Sequence, residues 1–375
     1  MRTLTKILIP REIFLLLVLS TGLLNHVILI PNILLAAGRD SWISVLIAYF
    51  IALLFLILVH YIIKHSPKGG FFQYLQNRIG KFSYLYLTPV LLFLLGSVYV
   101  TFRDLLIWLN AYFLADLPLL LINIVLIVAC LLTTFAGIKY MAIASGFLLP
   151  VVIILGFFIA ITNTPMKDPG YLFPLFSDGY MPVLKGIVYV LSGLLEIYIV
   201  VIIQPFTEAK IKFRHLFILL SAFTFLILGP LTASIMEFGP IEATTLRYPA
   251  YEQWRLLNIG DYISHLDFFA LYQWLSGALI RIGLFMYLIG YLLSHKIKDD
   301  RLNWKMVIGI YIVLFILTNV NIETYEFYKY LYKYLIPIIF GFFITIIIFS
   351  AFTLLVLKKR DGQHEKNKNQ FKSST

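Results

Sequence analysis

Two short stretches place small and polar residues inside long apolar runs. Residues 20–26 read STGLLNH and residues 192–196 read SGLLE. Gly and hydroxyl residues loosen a helix, and Asn, His and Glu are costly in hydrocarbon unless another group binds them. Hydroxyl, amide and carboxylate groups at this depth could bind a polar small molecule. We therefore predict a ligand site whose residues are Thr21, Gly22, Asn25, Ser192, Gly193 and Glu196.

Charged and titratable side chains in the same runs could couple a ligand to a conformational change. A lone charge at the bilayer centre costs at least about 2.5–3.5 kcal/mol, so each one needs a partner. Glu196 and Arg281 lie at similar depth and are predicted to face one another or to share a polar cavity. Arg103, beside Asp104, could instead snorkel to the headgroups. His26 is a third coupling candidate, because imidazole titrates near neutral pH; purely structural pairing is the alternative for all the charges.

The composition identifies the class of protein. Hydrophobic residues make up 61% of the 375 residues and charged residues only 13%, against about 25% charged in soluble domains. The net charge of +11 does not indicate nucleic-acid binding, because the basic residues lie in short loops without an interleaved aromatic face. The sequence has no phosphate loop, metal-ligand spacing or nucleophile elbow. We predict no enzymatic activity, no metal and no cofactor.

Hydropathy predicts an all-α integral membrane protein with ten spans, each long enough to cross about 30 Å of hydrocarbon. The spans are residues 13–36, 42–63, 84–108, 117–135, 140–162, 186–205, 216–236, 268–293, 307–320 and 335–357. Residues 358–375 are predicted to be a polar, disordered cytoplasmic tail. With the N-terminus in the cytoplasm, the inner loops and tail contain twenty-one Lys and Arg residues and the outer loops seven. Both termini are therefore predicted to be cytoplasmic.

Ten spans divide into two halves of five with opposite orientation. The membrane domain, residues 1–357, would then contain repeats at about 9–162 and 186–357, with one polar stretch in the first span of each. Transporters with inverted repeats have interrupted helices there, and the freed backbone groups bind substrate at the midplane. We expect span one to open at Thr21 and Gly22, so that N–H groups and Asn25, rather than His26, face the ligand. The alternative is that the two polar stretches resemble one another by chance, because the chain is rich in Leu.

Several motifs, taken in order, resemble those of a known family. They are IPREIF (9–14), AAGRDSWISV (36–45), FQYL (72–75), IGK (79–81), Arg103, RYPAYE (247–252), HLD (265–267) and Trp274. Over about residues 9–357 the sequence resembles the B subunits of the spore germinant receptors of endospore-forming bacteria. Two features depart from the family: Leu24-Asn25-His26 replaces a frequent Gly-x-Gly, and Pro205 comes later than usual. The identity of the ligand therefore does not carry over.

The resemblance implies a member of the amino acid–polyamine–organocation transporter superfamily. It also implies a complex with A and C subunits in the inner membrane of the dormant spore. Our leading hypothesis is the nutrient-sensing B subunit of a spore germinant receptor, which binds a small nutrient, such as an amino acid, in a midplane pocket within the lipid bilayer and triggers germination. An amino-acid permease of the same superfamily and an ion-conducting subunit are the alternatives.

Overall fold

A computed structural model describes residues 7–67, 69–257, 266–294 and 302–373, with side chains through residue 359. In this part of the chain, seven helical segments are long and apolar enough to cross a membrane. They are Pro10–His65, Phe71–Tyr112, Leu119–Thr162, Met181–Phe206, Phe213–Phe238, Phe268–Leu293 and Thr324–Lys359. The protein is therefore a multi-pass membrane protein built of helices.

Within the described residues the chain has fifteen α-helices, and its first half contains six of them. They are α1 (Pro10–Leu23), α2 (Leu29–Ala37), α3 (Ser41–His65), α4 (Phe71–Ile79), α5 (Tyr84–Tyr112) and α6 (Leu119–Thr162). The second half contains nine. They are α7 (Met181–Leu194), α8 (Ile199–Ile203), α9 (Phe213–Phe238), α10 (Pro240–Thr245), α11 (Pro249–Arg255), α12 (Phe268–Leu293), α13 (Trp304–Asn319), α14 (Thr324–Tyr330) and α15 (Ile336–Ser373).

Glycines divide two of the long segments where the sequence predicts separate spans. The 3-10 turn Gly38–Asp40 separates α2 from α3, and Gly38 has a φ of 54°. Within α6, Gly137 has a φ of 84° and a non-helical backbone. Glycine adopts this left-handed region without the steric cost of a Cβ, so the chain reverses there. The apolar α13, in the place of the predicted ninth span, is only 16 residues long. The count of ten spans and the inverted repeat remain predictions.

The regular α-helical hydrogen bonding changes in both spans that we expected to be interrupted. A π turn, Leu24–Ile28, joins α1 to α2, and a 3-10 turn, Leu195–Tyr198, joins α7 to α8. The backbone nevertheless stays helical, and the N–H of Leu24 donates to the carbonyl of Thr21. The prediction that span one opens at Thr21 and presents free N–H groups is therefore wrong. A change of helical pitch keeps most backbone groups bonded, which a site at hydrocarbon depth requires.

The C-terminal helix differs from the expected disordered tail. Helix α15 continues through the basic residues Lys358 and Lys359 and ends at Ser373. Residues 358–373 contain five Lys, one Arg, two Gln and one Glu, which are good helix formers. The polar composition that led us to predict disorder is therefore compatible with an extension of the last membrane helix.

Two sets of helices position the site. Helix α12 packs against α1, α5 and α6, while α7 packs against α2, α3 and α15. Gly186 and Gly193 permit close approach of α7, because a Cβ at either position would lie within 3 Å of a neighbouring side chain. The first polar stretch, on α1, and the second, at the end of α7, are thus held side by side.

Candidate ligand-binding site

Glu196 and Arg281 form a buried ion pair between the 3-10 turn after α7 and the middle of α12. Arg281 Nη1 donates to Glu196 Oε1 at 2.5 Å, and Nη2 donates to Oε2 at 2.9 Å. Each residue is 1% exposed. Two parallel charge-assisted hydrogen bonds fix the relative orientation of the two groups. The predicted pairing is confirmed, and the site contains one charge of each sign.

Three further groups surround this pair. Thr21 Oγ1 donates to Glu196 Oε1 at 2.8 Å, and Arg281 Nε donates to Thr101 Oγ1 at 3.2 Å. The carbonyl of Ser20 lies 3.5 Å from Arg281 Nη1. A buried ion pair is tolerated when its remaining donors and acceptors are also satisfied. These contacts connect α1, α5 and α12 with the turn that carries Glu196.

A narrow cavity lies beside the ion pair. The centre of a water-sized sphere can move through about 20 Å³ of it, which is room for about one or two water molecules. Its polar lining is Ser97, Thr101, Ser192, Glu196 and Arg281. Its remaining lining is Leu24, Ile28, Leu29, Phe93, Gly96, Val100, Leu331, Leu335, Ile336 and Ile339. The site is closed in this conformation, and any ligand larger than water has to displace apolar side chains.

Three turns that depart from α-helical pitch meet at the cavity. The π turn Leu24–Ile28 contributes both of its end residues, and a second π turn, Leu331–Leu335, does the same. The 3-10 turn after α7 contributes Glu196. π turns within helices occur frequently at functional sites. Their convergence distinguishes this cavity from an ordinary packing defect.

The structure brings only some of the predicted ligand residues to the cavity. Ser192 and Glu196 line it, and Thr21 reaches it through Glu196. Ser192 Oγ also donates to the carbonyl of Tyr189 at 2.6 Å. Gly22 instead faces α9, because a Cβ there would lie 3.0 Å from Leu226 Cδ1.

Ser97 and Thr101 were not predicted. Both lie on α5 and line the cavity, and Thr101 accepts a hydrogen bond from Arg281. A sequence signal for them exists: two hydroxyl residues four positions apart in an apolar run share one face of a helix. That pattern occurs elsewhere in membrane helices, so it does not by itself identify a site.

Asn25 is buried against Gly193. It is 0% exposed, and among the described residues neither its amide nitrogen nor its amide oxygen has a hydrogen-bond partner. A Cβ on Gly193 would lie 2.3 Å from Asn25 Oδ1 and 2.2 Å from Leu29 Cδ1. Gly193 therefore serves close packing of α7 and not the helix opening that we expected. Leaving the amide unpaired costs about 1–3 kcal/mol, so Asn25 has a capacity to bind that this conformation leaves unused.

His26 and Arg103 lie away from the cavity. His26 Nδ1 is 3.4 Å from the carbonyl of Leu226 on α9, so it points to a different neighbour from Asn25, as predicted. Arg103 donates to the carbonyls of Thr318 at 2.6 Å and Ile322 at 2.9 Å. It satisfies carbonyl groups at and beyond the last turn of α13, where orphan acceptors and the helix dipole favour a cation. The snorkelling alternative for Arg103 is therefore excluded.

Asp104 organises a second buried cluster, which we call the Asp104 cluster and which comprises Asp104, Arg247, Tyr248 and Tyr328. Its Oδ1 accepts from Arg247 Nη2 at 2.6 Å, Tyr328 Oη at 3.0 Å and Tyr248 Oη at 3.4 Å. Burial opposes the charge on Arg247, but the Asp104 carboxylate together with Tyr328 and Tyr248 outweighs it and raises the pKa of Arg247. Arg247 and Tyr248 belong to the RYPAYE motif, yet nothing in the sequence assigned them to Asp104.

Comparisons with known proteins cover the Glu196–Arg281 ion pair and most of the Asp104 cluster. The family described as "Spore germination protein" matches residues 8–326. The chain is 36% identical to Spore germination protein XB of Bacillus anthracis over 328 residues, or 87% of this chain and 92% of that protein. It is 24% identical to Spore germination protein KB of Bacillus subtilis (strain 168) over 288 residues, or 74% and 77% of the two chains. The family match includes Thr21, Glu196 and Arg281.

Proposed function

The chain belongs to the spore germination protein family, and from this premise we propose that it is the B subunit of a spore germinant receptor. It binds a small nutrient, such as an amino acid, in the cavity beside Glu196 and Arg281, and binding triggers germination. The family is a permease-like membrane family and not a known family of enzymes. Recognition rather than catalysis is therefore the proposed role of the buried polar groups.

The convergence of three irregular turns on one cavity supports this proposal most strongly. A ligand that enters must displace apolar lining residues, and three of these, Leu24, Ile28 and Leu331, lie at the ends of π turns. A π turn contains one residue more than an α-helical turn, so a shift of one residue offers a second arrangement of the helix. A ligand that binds one arrangement better shifts the population toward it.

The charges of the cavity indicate what kind of nutrient fits. Glu196 and Arg281 neutralise one another, so a ligand with net charge would bring an uncompensated charge into a buried site. A zwitterion has no net charge and offers one group to each partner. The unpaired amide of Asn25 lies one residue from Leu24, a cavity-lining residue. It could contact a polar ligand once Leu24 moves.

The membrane arrangement belongs to the same proposal. We assign ten spans as two inverted repeats of five, with both termini on the cytoplasmic or core side of the inner spore membrane. The partners would be the A and C subunits, which respond to the conformational change of the helices around the cavity. The Lys and Arg bias of the loops supports the orientation.

Deletion and complementation test the function. In a strain without a redundant receptor, deletion of the gene should abolish germination in response to at least one nutrient of a panel. The wild-type gene should restore this response, whereas an Arg281→Met gene should not. Normal germination of the deletion strain on every nutrient would reject the proposal. Uptake of labelled nutrient by growing cells that express the protein would favour the permease instead.

A further inference from the structure

We propose that Asp104, Tyr248 and Tyr328 form a recognition site for an ammonium or guanidinium group. In this structure the side chain of Arg247 occupies the site. A cationic group of a ligand replaces it when the side chain of Arg247 swings out. The inference rests on the proposed function only in taking the nutrient as that ligand.

The geometry around Arg247 is that of a cation-binding cage. Its guanidinium carbon lies 3.7 Å from the ring centroid of Tyr328 and 4.7 Å from that of Tyr248. Cations within about 6 Å of an aromatic face are attracted by the ring quadrupole. The two hydroxyl groups are 2.6 Å apart and both lie near Asp104 Oδ1. Two rings and a carboxylate thus surround one cation.

The cage has binding capacity that Arg247 does not use. Asp104 is 0% exposed, and within the described part of the chain its Oδ2 has no hydrogen-bond partner. The neighbouring Arg103 donates to carbonyl groups beyond α13 and so does not neutralise it. An ammonium group has three donors and can bond to both oxygens of one carboxylate. A free ligand can therefore satisfy Asp104 more completely than Arg247 does.

The cage lies next to the cavity at the predicted external end of the bundle. Asp104 follows the cavity-lining Thr101 by one turn of α5, or about 5 Å along the helix axis. Tyr328, on α14, precedes Leu331, another cavity-lining residue, by three residues. A ligand that moves from the cage to the cavity therefore travels only about the length of one helical turn.

The residue that fills the cage is also placed to leave it. Arg247 lies between the short helices α10 and α11, and its side chain is 22% exposed, while that of Asp104 is 1% exposed. Helix α11 packs over the same end of the bundle through Tyr251, whose ring centroid is 5.4 Å from that of Trp108. Departure of Arg247 alone would leave a buried carboxylate unpaired, which is strongly unfavourable. Arrival of another cation removes that cost, so ligand entry and departure of the Arg247 side chain are coupled.

Chemical rescue of the full-length chain in lipid nanodiscs tests the cage. Arg247→Ala vacates it, and methylammonium chloride should then raise the unfolding midpoint Tm by at least about 2 °C more than an equal concentration of sodium chloride. The double variant Asp104→Asn with Arg247→Ala should lose this difference. Arg255→Ala is the matched control, because Arg255 lies nearby, is 53% exposed and pairs only with Glu252 among the described acidic residues. It should show no difference between the salts.

If methylammonium chloride and sodium chloride changed the Tm of Arg247→Ala equally, the proposal would be overturned. It would also be overturned if the double variant kept the full Tm difference between the two salts. If Arg247→Ala does not fold, Arg247→Gln replaces it, because its neutral amide keeps part of the side-chain volume without supplying a cation to Asp104. Guanidinium chloride at low millimolar concentration should then raise its Tm relative to sodium chloride, and equal effects would again overturn the proposal. The test uses no nutrient, so its failure leaves the cavity at Glu196 in place as the proposed ligand site.

Discussion

Arg281 and Glu196 are joined by two hydrogen bonds of 2.5 and 2.9 Å, although 85 positions separate them in the sequence. The pair ties the middle of α12 to the 3-10 turn that follows α7. Thr21 from α1 and Thr101 from α5 complete the shell around it. The ion pair is therefore the point at which four parts of the bundle are linked beside the cavity.

Glu196→Gln and Arg281→Met should each lower the amount of folded protein in the membrane. Breaking a buried pair by removing one charge costs roughly 3–5 kcal/mol, whereas replacing both partners can be nearly neutral. The double variant should therefore recover part of the abundance lost in either single variant. Immunoblots of membrane fractions and Tm measurements in detergent check this, and strictly additive losses would contradict direct coupling.

Gly193→Ala should destabilise the protein and impair the nutrient response. The added Cβ would lie within 2.3 Å of Asn25 Oδ1 and of Leu29 Cδ1, so α7 would have to move. Overpacking of this kind costs about 1–3 kcal/mol. Gly156→Ala is the control, because a Cβ there meets no atom within 4 Å. Equal Tm values for the two variants would show that α7 has room at Gly193.

Gly96→Val should weaken the response without lowering the protein level. Gly96 lines the cavity, and a Cβ at this position meets no atom within 4 Å. The larger side chain would occupy space that the proposed ligand needs. We expect the nutrient concentration for half-maximal germination to rise by at least about tenfold, equivalent to 1.4 kcal/mol of binding free energy. An unchanged dose response at normal abundance would place the ligand elsewhere.

Asn25→Leu should raise the nutrient concentration for half-maximal response, while Tm stays the same or increases. An apolar side chain of similar size removes a buried amide that has no partner in this conformation. His26→Leu should act more weakly, because His26 faces Leu226 and not the cavity. Dose–response curves of the two variants check this. If the His26→Leu receptor gave no nutrient response while the Asn25→Leu receptor responded normally, the assignment of Asn25 rather than His26 to the ligand would be wrong.

The proposed orientation can be measured with single cysteines. In a Cys130→Ala background, Lys185→Cys lies near the start of α7, where the predicted outer loop ends, and Glu208→Cys lies in a predicted inner loop; both native side chains are exposed. A membrane-impermeant maleimide added to intact cells should label only position 185. Disrupted cells should show labelling of both, which serves as the control for reactivity. Labelling of position 208 in intact cells would contradict the assigned topology.

Some features of the fold followed from the amino-acid types alone. Long apolar runs predicted a helical membrane protein, and the family resemblance is confirmed by the match over residues 8–326. The pairing of Glu196 with Arg281 was also predictable, because an unpaired charge at that depth is costly whatever the fold. These conclusions depend on the free energy of transferring a residue into hydrocarbon, which is a property of the residue itself.

Other features depend on how the helices are rotated and packed against one another. The sequence placed the irregular turn of span one at Thr21 and Gly22, whereas the π turn begins at Leu24. Small and hydroxyl residues permit a change of pitch at several neighbouring positions, and contacts with surrounding helices decide which position is used. The same residues therefore predicted the irregularity but not its place or its type.

The Asp104 cluster could not be predicted from the sequence. Asp104 was visible as a charge beside Arg103, but its partner Arg247 lies 143 positions away between two short helices. The orientation of a side chain around its helix is set by the packing of all neighbouring helices, and a loop residue has no periodicity to indicate its partner. The sequence by itself therefore determined that this protein is a membrane-embedded member of its family with a buried charge pair. Only the tertiary structure decided which groups meet at the cavity and at Asp104, because those contacts join segments whose relative positions no local pattern encodes.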